Sequence, residues 1–216
     1  NSRDAVKLAM GLVATMTALV LGLLISSAKE AYDTSRSEVI QMAAKVAFLD
    51  RVLELYGPEA AEARNELRAA VADSVRRIWA PDQMRAAQLA PNPQIGDALY
   101  MAVQRLSPHD DAQRTLKTQV ATLLVDLGQL RSLLVAQSIP SISKPMLIIL
   151  LSWLVVIFFG FSVIAPPNAT TTLALVASAF SVACAIFLIL ELDDPFGGMI
   201  HIPVEPLNKL LAHLGK

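Results

Sequence analysis

Three stretches of the chain carry almost nothing but apolar side chains: residues 8–28, 146–164 and 173–190. Each has the roughly 17–25 residues that a helix needs to cross the hydrocarbon core of a bilayer, and none contains Lys, Arg, Asp or Glu. The second and third are separated only by Ala165-Pro166-Pro167-Asn168-Ala169-Thr170-Thr171-Thr172, which leaves room for a tight helical hairpin. Between the first and second the pattern changes. Val39, Met42, Val46, Leu49, Leu53 and Tyr56 step alternately by three and four, a heptad seam closed by Gly57-Pro58. Lys29-Glu30-Ala31 are good helix formers, so the first span is predicted to run unbroken into that seam. A second helix is predicted over residues 58–79, with Ala60, Ala63, Leu67, Val71, Ser74 and Ile78 on one face. Residues 81–95, with Pro81, Pro91 and Pro93, read as irregular, followed by a short helix around Ile95, Leu99, Val103 and Leu106. Ser107-Pro108 reads as an N-cap with Pro in the first helical position. The helix it opens, over residues 109–138, carries a second heptad seam of Leu116, Val120, Leu123, Leu127, Leu130 and Leu134. No stretch alternates as a strand would. Helices 29–56 and 109–138 are each expected to be roughly 40–45 Å long and to pair antiparallel.

The pattern therefore predicts an all-α protein: integral membrane helices with an inserted cytoplasmic helical domain built on two long heptad-patterned helices. Its divisions are a first transmembrane helix (1–28), the helical domain (29–145), a transmembrane hairpin (146–191) and a C-terminal tail (192–216). Charge supports the division, because 28 of the 37 charged residues lie in residues 29–145. A hairpin puts that domain and the tail on one side of the membrane. Lys29, Arg36, Arg131, Lys144 and Lys209 flank the spans there, against Arg3 and Lys7 on the other side, and the excess of basic residues marks the cytoplasmic face. The chain opens without Met, which leaves an upstream membrane helix as an expectation. A net charge of −1 offers no basic footprint for nucleic acid. Cys184 is the only cysteine, so no intrachain disulfide can form.

Enzyme motifs are absent: there is no Gly-rich phosphate loop, no His-Glu-x-x-His and no Gly-x-Ser-x-Gly. His109, His201 and His213 are scattered, so neither catalytic residues nor a bound cofactor are expected. Glu59, Glu62 and Glu66 beside Arg64 and Arg68 read as the solvated, ion-paired face of one helix. The spans contain no interior Asp, Glu, Lys, Arg or His, which argues against an ion-coupled pump and is compatible with a pore lined by apolar and hydroxyl groups. Thr15, Thr17, Ser152, Ser162, Ser178 and Ser181 are candidates for that lining, set against the usual habit of such hydroxyls to bond back to their own helix. Small residues recur every four positions at Ala14, Ala18 and Gly22, with Gly11 and Ser26 near the same stripe, and again at Ala177, Ser181 and Ala185. That spacing lets helices approach closely within or between subunits. The last span leaves the membrane through Glu191, Asp193 and Asp194. These carboxylates are either a plain helix exit, stopped by Pro195 and turned by Gly197-Gly198, or a site for a divalent cation at a pore mouth.

Several stretches resemble a known family. Ser2-Arg3-Asp4-Ala5-Val6-Lys7-Leu8, Met10-Gly11-Leu12-Val13-Ala14-Thr15-Met16, Ala18-Leu19-Val20-Leu21-Gly22-Leu23-Leu24-Ile25, Asn168-Ala169-Thr170 and Phe187-Leu188-Ile189-Leu190-Glu191-Leu192-Asp193 are similar to the bacterial bestrophin-like membrane proteins, a domain family of unassigned function. Glu191-Leu192-Asp193-Asp194-Pro195-Phe196-Gly197, with Pro203 and Leu207, resembles the acidic segment after the last membrane helix of bacterial bestrophins. The resemblance implies a multi-pass protein of the bacterial inner membrane, with the lipid bilayer and further copies of itself as partners. It implies a homo-oligomer, pentameric if truly bestrophin-like, that conducts ions past an acidic cytosolic exit. The alternative is a non-conducting scaffold that binds a partner through its helical domain.

Overall fold

The computed structural model describes residues 2–78, 93–137, 144–166 and 168–214, and the secondary structure among them is helical. The helices are α1 (Ser2–Tyr56), α2 (Ala61–Ile78), α3 (Pro93–Arg105), α4 (Asp111–Gln137), α5 (Lys144–Ile164), α6 (Ala169–Leu192) and α7 (Glu205–His213), with a 3-10 turn at Pro58–Ala60. The first span and the first heptad seam are thus one unbroken helix. No proline interrupts it, and it ends at Gly57, whose φ of +119° is open to glycine but strained for L side chains. Pro58 then tightens the entry to α2 into a 3-10 turn, so the α-helix begins at Ala61 rather than at Pro58. Of the irregular stretch expected over residues 81–95, residues 81–92 lie outside the described residues, and 93–95 are helical instead. α3 itself opens on Pro93, where a missing N–H costs nothing.

The chain divides into two units: residues 1–33 with 140–194, and residues 34–139 with 195–216. In the first unit, α1, α5 and α6 are each long and apolar enough to cross a membrane. They share a small core of Leu24, Ala28, Leu150, Leu154 and Ile189. α5 also meets α1 at Gly160, where a Cβ atom would lie 2.8 Å from Met10 Cε. Most other apolar side chains of this unit point outward; Phe159, Leu173 and Phe180 are about 70% exposed. Such a surface is unfavourable in water and neutral against lipid tails.

The second unit buries the whole α1 seam, with Val39, Leu49 and Leu53 fully enclosed. Its cover is not a single partner helix. α2 contributes Ala63, Leu67 and Val71, α3 contributes Leu99 and Val103, and α7 packs against α2. α4 runs antiparallel to α1: Gln113 bonds to Tyr56 at one end, and Lys45 pairs with Asp126 further along. Only Val120 and Leu134 of the α4 seam are fully buried; Leu116, Leu123, Leu127 and Leu130 are half-covered.

Two local expectations are corrected. Ser107-Pro108 does not start α4. The helix begins at Asp111, and Asp110 caps it by accepting the Gln113 N–H at 2.6 Å. Gln113 Oε1 in turn accepts the His109 N–H at 2.8 Å, so the two side chains form a capping box shifted by one residue. Asp competes well for the cap because its short carboxylate reaches a free amide at the positive end of the helix dipole. Nor do Arg64 and Glu62 pair along α2. Arg64 reaches Asp50 on α1, and Glu62 accepts from Arg105 on α3 at 2.8 Å. These ion pairs join helices rather than lace one.

Candidate functional site

The acidic exit of α6 is built by helix termination. The last helical residue is Leu192; Asp193 keeps helical dihedrals, and its N–H still bonds to Ile189 O at 3.0 Å. Pro195 cannot continue the helix, and Gly198 takes a positive φ of 67° that completes the turn. The Ile202 N–H returns to Pro195 O at 2.8 Å, closing a short loop in which Phe196 and Ile202 are buried. Glu191, Asp193 and Asp194 are half-exposed neighbours at this exit, beside a helix C-terminus whose dipole opposes their charge. Among the described residues no group of three or more His, Cys, Asp or Glu side chains is arranged to hold a metal ion.

Four of the six span hydroxyls turn back on their own helices. Thr15 donates to Gly11 O at 2.9 Å, Thr17 to Val13 O at 2.7 Å, Ser152 to Ile149 O at 2.7 Å and Ser178 to Ala174 O at 2.8 Å. Each hydroxyl thereby spends its proton on backbone and keeps its lone pairs. Thr17 is buried, whereas Thr15, Ser152, Ser162, Ser178 and Ser181 are exposed. The small-residue stripes are open as well. Gly11, Ala18, Gly22, Ala177 and Ser181 are exposed, with Ala14 and Ala185 half-exposed, and a Cβ added at Gly11 or Gly22 would meet nothing within 4 Å. Of Gly11, Gly22 and Gly160, only Gly160, outside both stripes, has a neighbour that an added Cβ would meet, the Met10 side chain.

The second unit holds a half-open cavity that periodicity did not announce. A cavity of 360 Å³ lies among α1, α2, α3, α4 and α7, walled by side chains such as Val46, Leu67, Val71, Leu99, Leu127 and Leu207. Arg131 of α4 also lines it. Burial pushes the Arg131 guanidinium below its ordinary range; Asp73 opposes that shift and Arg77 adds to it. Asp73, only 8% exposed, is already engaged: it accepts from Arg77 Nε at 2.6 Å and lies 3.8 Å from Arg76. From sequence alone, Arg131 is predicted only to flank the membrane as a basic residue. By contrast, the hydrogen bond from Arg64 to Asp50 holds the Arg64 guanidinium above its usual range, against the effect of burial.

A family model described as the Bestrophin-like domain matches residues 1–207. Among solved structures, a bacterial bestrophin homologue from Klebsiella pneumoniae aligns with a TM-score of 0.70 at 17% identity, covering 96% of this chain and 84% of that one. A variant of a Klebsiella pneumoniae bestrophin homologue with a tyrosine-to-alanine substitution gives 0.75 at 16% identity, covering 94% of this chain and 84% of its own. One with an isoleucine-to-threonine substitution gives 0.74 at 16% identity, covering 96% and 87%. At such identities the likeness speaks for the fold alone. No curated protein matches in sequence. The helical order, the three apolar spans and a family match over nearly the whole length lead to one conclusion: the chain belongs to the Bestrophin-like family of membrane proteins.

Proposed function

We propose that this chain is one subunit of a homo-oligomeric ion channel, a pentamer of bestrophin type, in the bacterial inner membrane. Its second unit and C-terminal tail face the cytoplasm. The observation that carries this reading is the family match over residues 1–207. The charge-free spans support it, since they hold no Asp, Glu, Lys, Arg or His of the kind that proton relays and coupled pumps normally use. The open stripe at Gly11 and Gly22 supports assembly, because a small-residue surface with nothing against it in one subunit can receive the backbone of another. Hydroxyls that donate inward and present lone pairs outward, together with Glu191, Asp193 and Asp194 at the exit, favour cations over anions. In this reading the three carboxylates sit at the cytosolic mouth, where a divalent cation is a candidate ligand.

Two measurements test it. The mass of the detergent-solubilised protein is expected to be a multiple of the chain mass, and a monomer sinks the pore. Reconstitution into planar bilayers under ion gradients is expected to give cation current that falls in the Asp193→Asn/Asp194→Asn double variant. A stable oligomer without current above empty bilayers favours a scaffold that binds a partner through its helical domain.

A further inference from the structure

We infer that the cavity of the second unit binds a single-chain amphiphile with an anionic headgroup, its alkyl tail among Val46, Leu67, Val71 and Leu127 and its headgroup on the Arg131 guanidinium. This assignment stands apart from conduction and rests on three features of the site. The first is size. At 360 Å³ the cavity lies at the small end of the roughly 300–1,000 Å³ of ligand pockets, which suits one short chain and not a two-chain lipid. The second is the wall, which is apolar on all five helices that line it, so a tail gains by leaving water. The third is charge. Arg76, Arg77 and Arg131 share Asp73 as their carboxylate, and Asp73 is committed to Arg77 at 2.6 Å. Arg131 is therefore a partly desolvated cation without a carboxylate of its own among the described residues. A guanidinium in that position gains two parallel hydrogen bonds and a counter-charge from a carboxylate or phosphate headgroup.

The test uses the full chain in phosphatidylcholine nanodiscs, titrated by calorimetry with decanoate, decyl phosphate, decanol and inorganic phosphate, with empty nanodiscs as the blank. Saturable binding of one decanoate or decyl phosphate per chain is expected, with decanol and inorganic phosphate each at least about tenfold weaker, the discrimination expected of a charge-assisted pair. Whichever of the two anions binds more tightly supports the site and identifies its source as a fatty acid or a phosphate-headed amphiphile. Arg131→Gln is expected to weaken both anions by about tenfold and leave decanol unchanged. Ala70→Phe, which places a ring in the cavity, is expected to abolish binding of both. Decanol binding as tightly as decanoate, inorganic phosphate binding as tightly as decyl phosphate, or no saturable heat above the blank overturns the assignment. Should either variant fail to fold by circular dichroism, the four probes on the unaltered chain decide alone.

Discussion

Neutralising Asp50 tests whether the Arg64 guanidinium holds α2 onto α1. Arg64 Nε and Nη2 lie 2.8 and 3.0 Å from the two Asp50 oxygens, and the two side chains are 17% and 14% exposed. Removing one partner of a fully buried pair costs about 3–5 kcal/mol, because the survivor stays desolvated and uncompensated. Residual contact with water lowers that cost, so about 2–3 kcal/mol is expected for Asp50→Asn. For a chain of this size that corresponds to a fall of about 5–10 °C in the unfolding midpoint, followed by circular dichroism in detergent. Glu66→Gln serves as the control, since a half-exposed charge with no inter-helix ion pair among the described residues should cost no more than about 0.5 kcal/mol. Replacing both partners, as Asp50→Leu/Arg64→Met, should recover much of the loss, because no orphaned charge remains. A loss below about 1 kcal/mol for Asp50→Asn, or a coupling below about 0.5 kcal/mol in the double-mutant cycle, refutes the inter-helix clamp.

Three further substitutions follow from the same geometry. Gly57→Ala should cost about 1–3 kcal/mol by thermal unfolding; nothing lies within 4 Å of the added Cβ, so the loss is conformational and not steric. Gln113→Ala removes the acceptor for His109 N–H and the donor to Tyr56 O, and should cost about 1–2 kcal/mol, with faster amide exchange at the start of α4. Gly22 is exposed and a Cβ added there meets nothing within 4 Å, so Gly22→Leu should leave the monomer fold within about 0.5 kcal/mol. Its particle mass in detergent should nonetheless fall, and an unchanged mass places the subunit contact elsewhere.

The helices and the three spans long and apolar enough to cross a membrane were legible in the sequence because hydrophobic burial is non-directional and follows period. Spans, seams and the breaks at Gly57-Pro58 and Asp194-Pro195 are properties of neighbours along the chain, and α1 shows this over its full length. Choices between nearby candidates were harder. Ser107 and Asp110 both suit a cap, and the Asp110-x-x-Gln113 spacing was the available signal that the second wins. Partners in space were not legible at all. Arg64 has acidic residues along its own helix, yet its bidentate bond goes to Asp50 on another. The α4 seam has the same period as the α1 seam and is covered far less, because cover depends on which helices arrive opposite.

Sequence alone thus determined an all-α membrane protein with charge-free spans, an inserted helical unit and an acidic exit, since each is written in local composition and period. The tertiary structure alone decided which charges clamp which helices, that the Met10 side chain packs on Gly160 while Gly11 and Gly22 stay open, and that Arg131 borders an apolar cavity. Those outcomes depend on distances between residues far apart in the chain, and no spacing along the sequence encodes them.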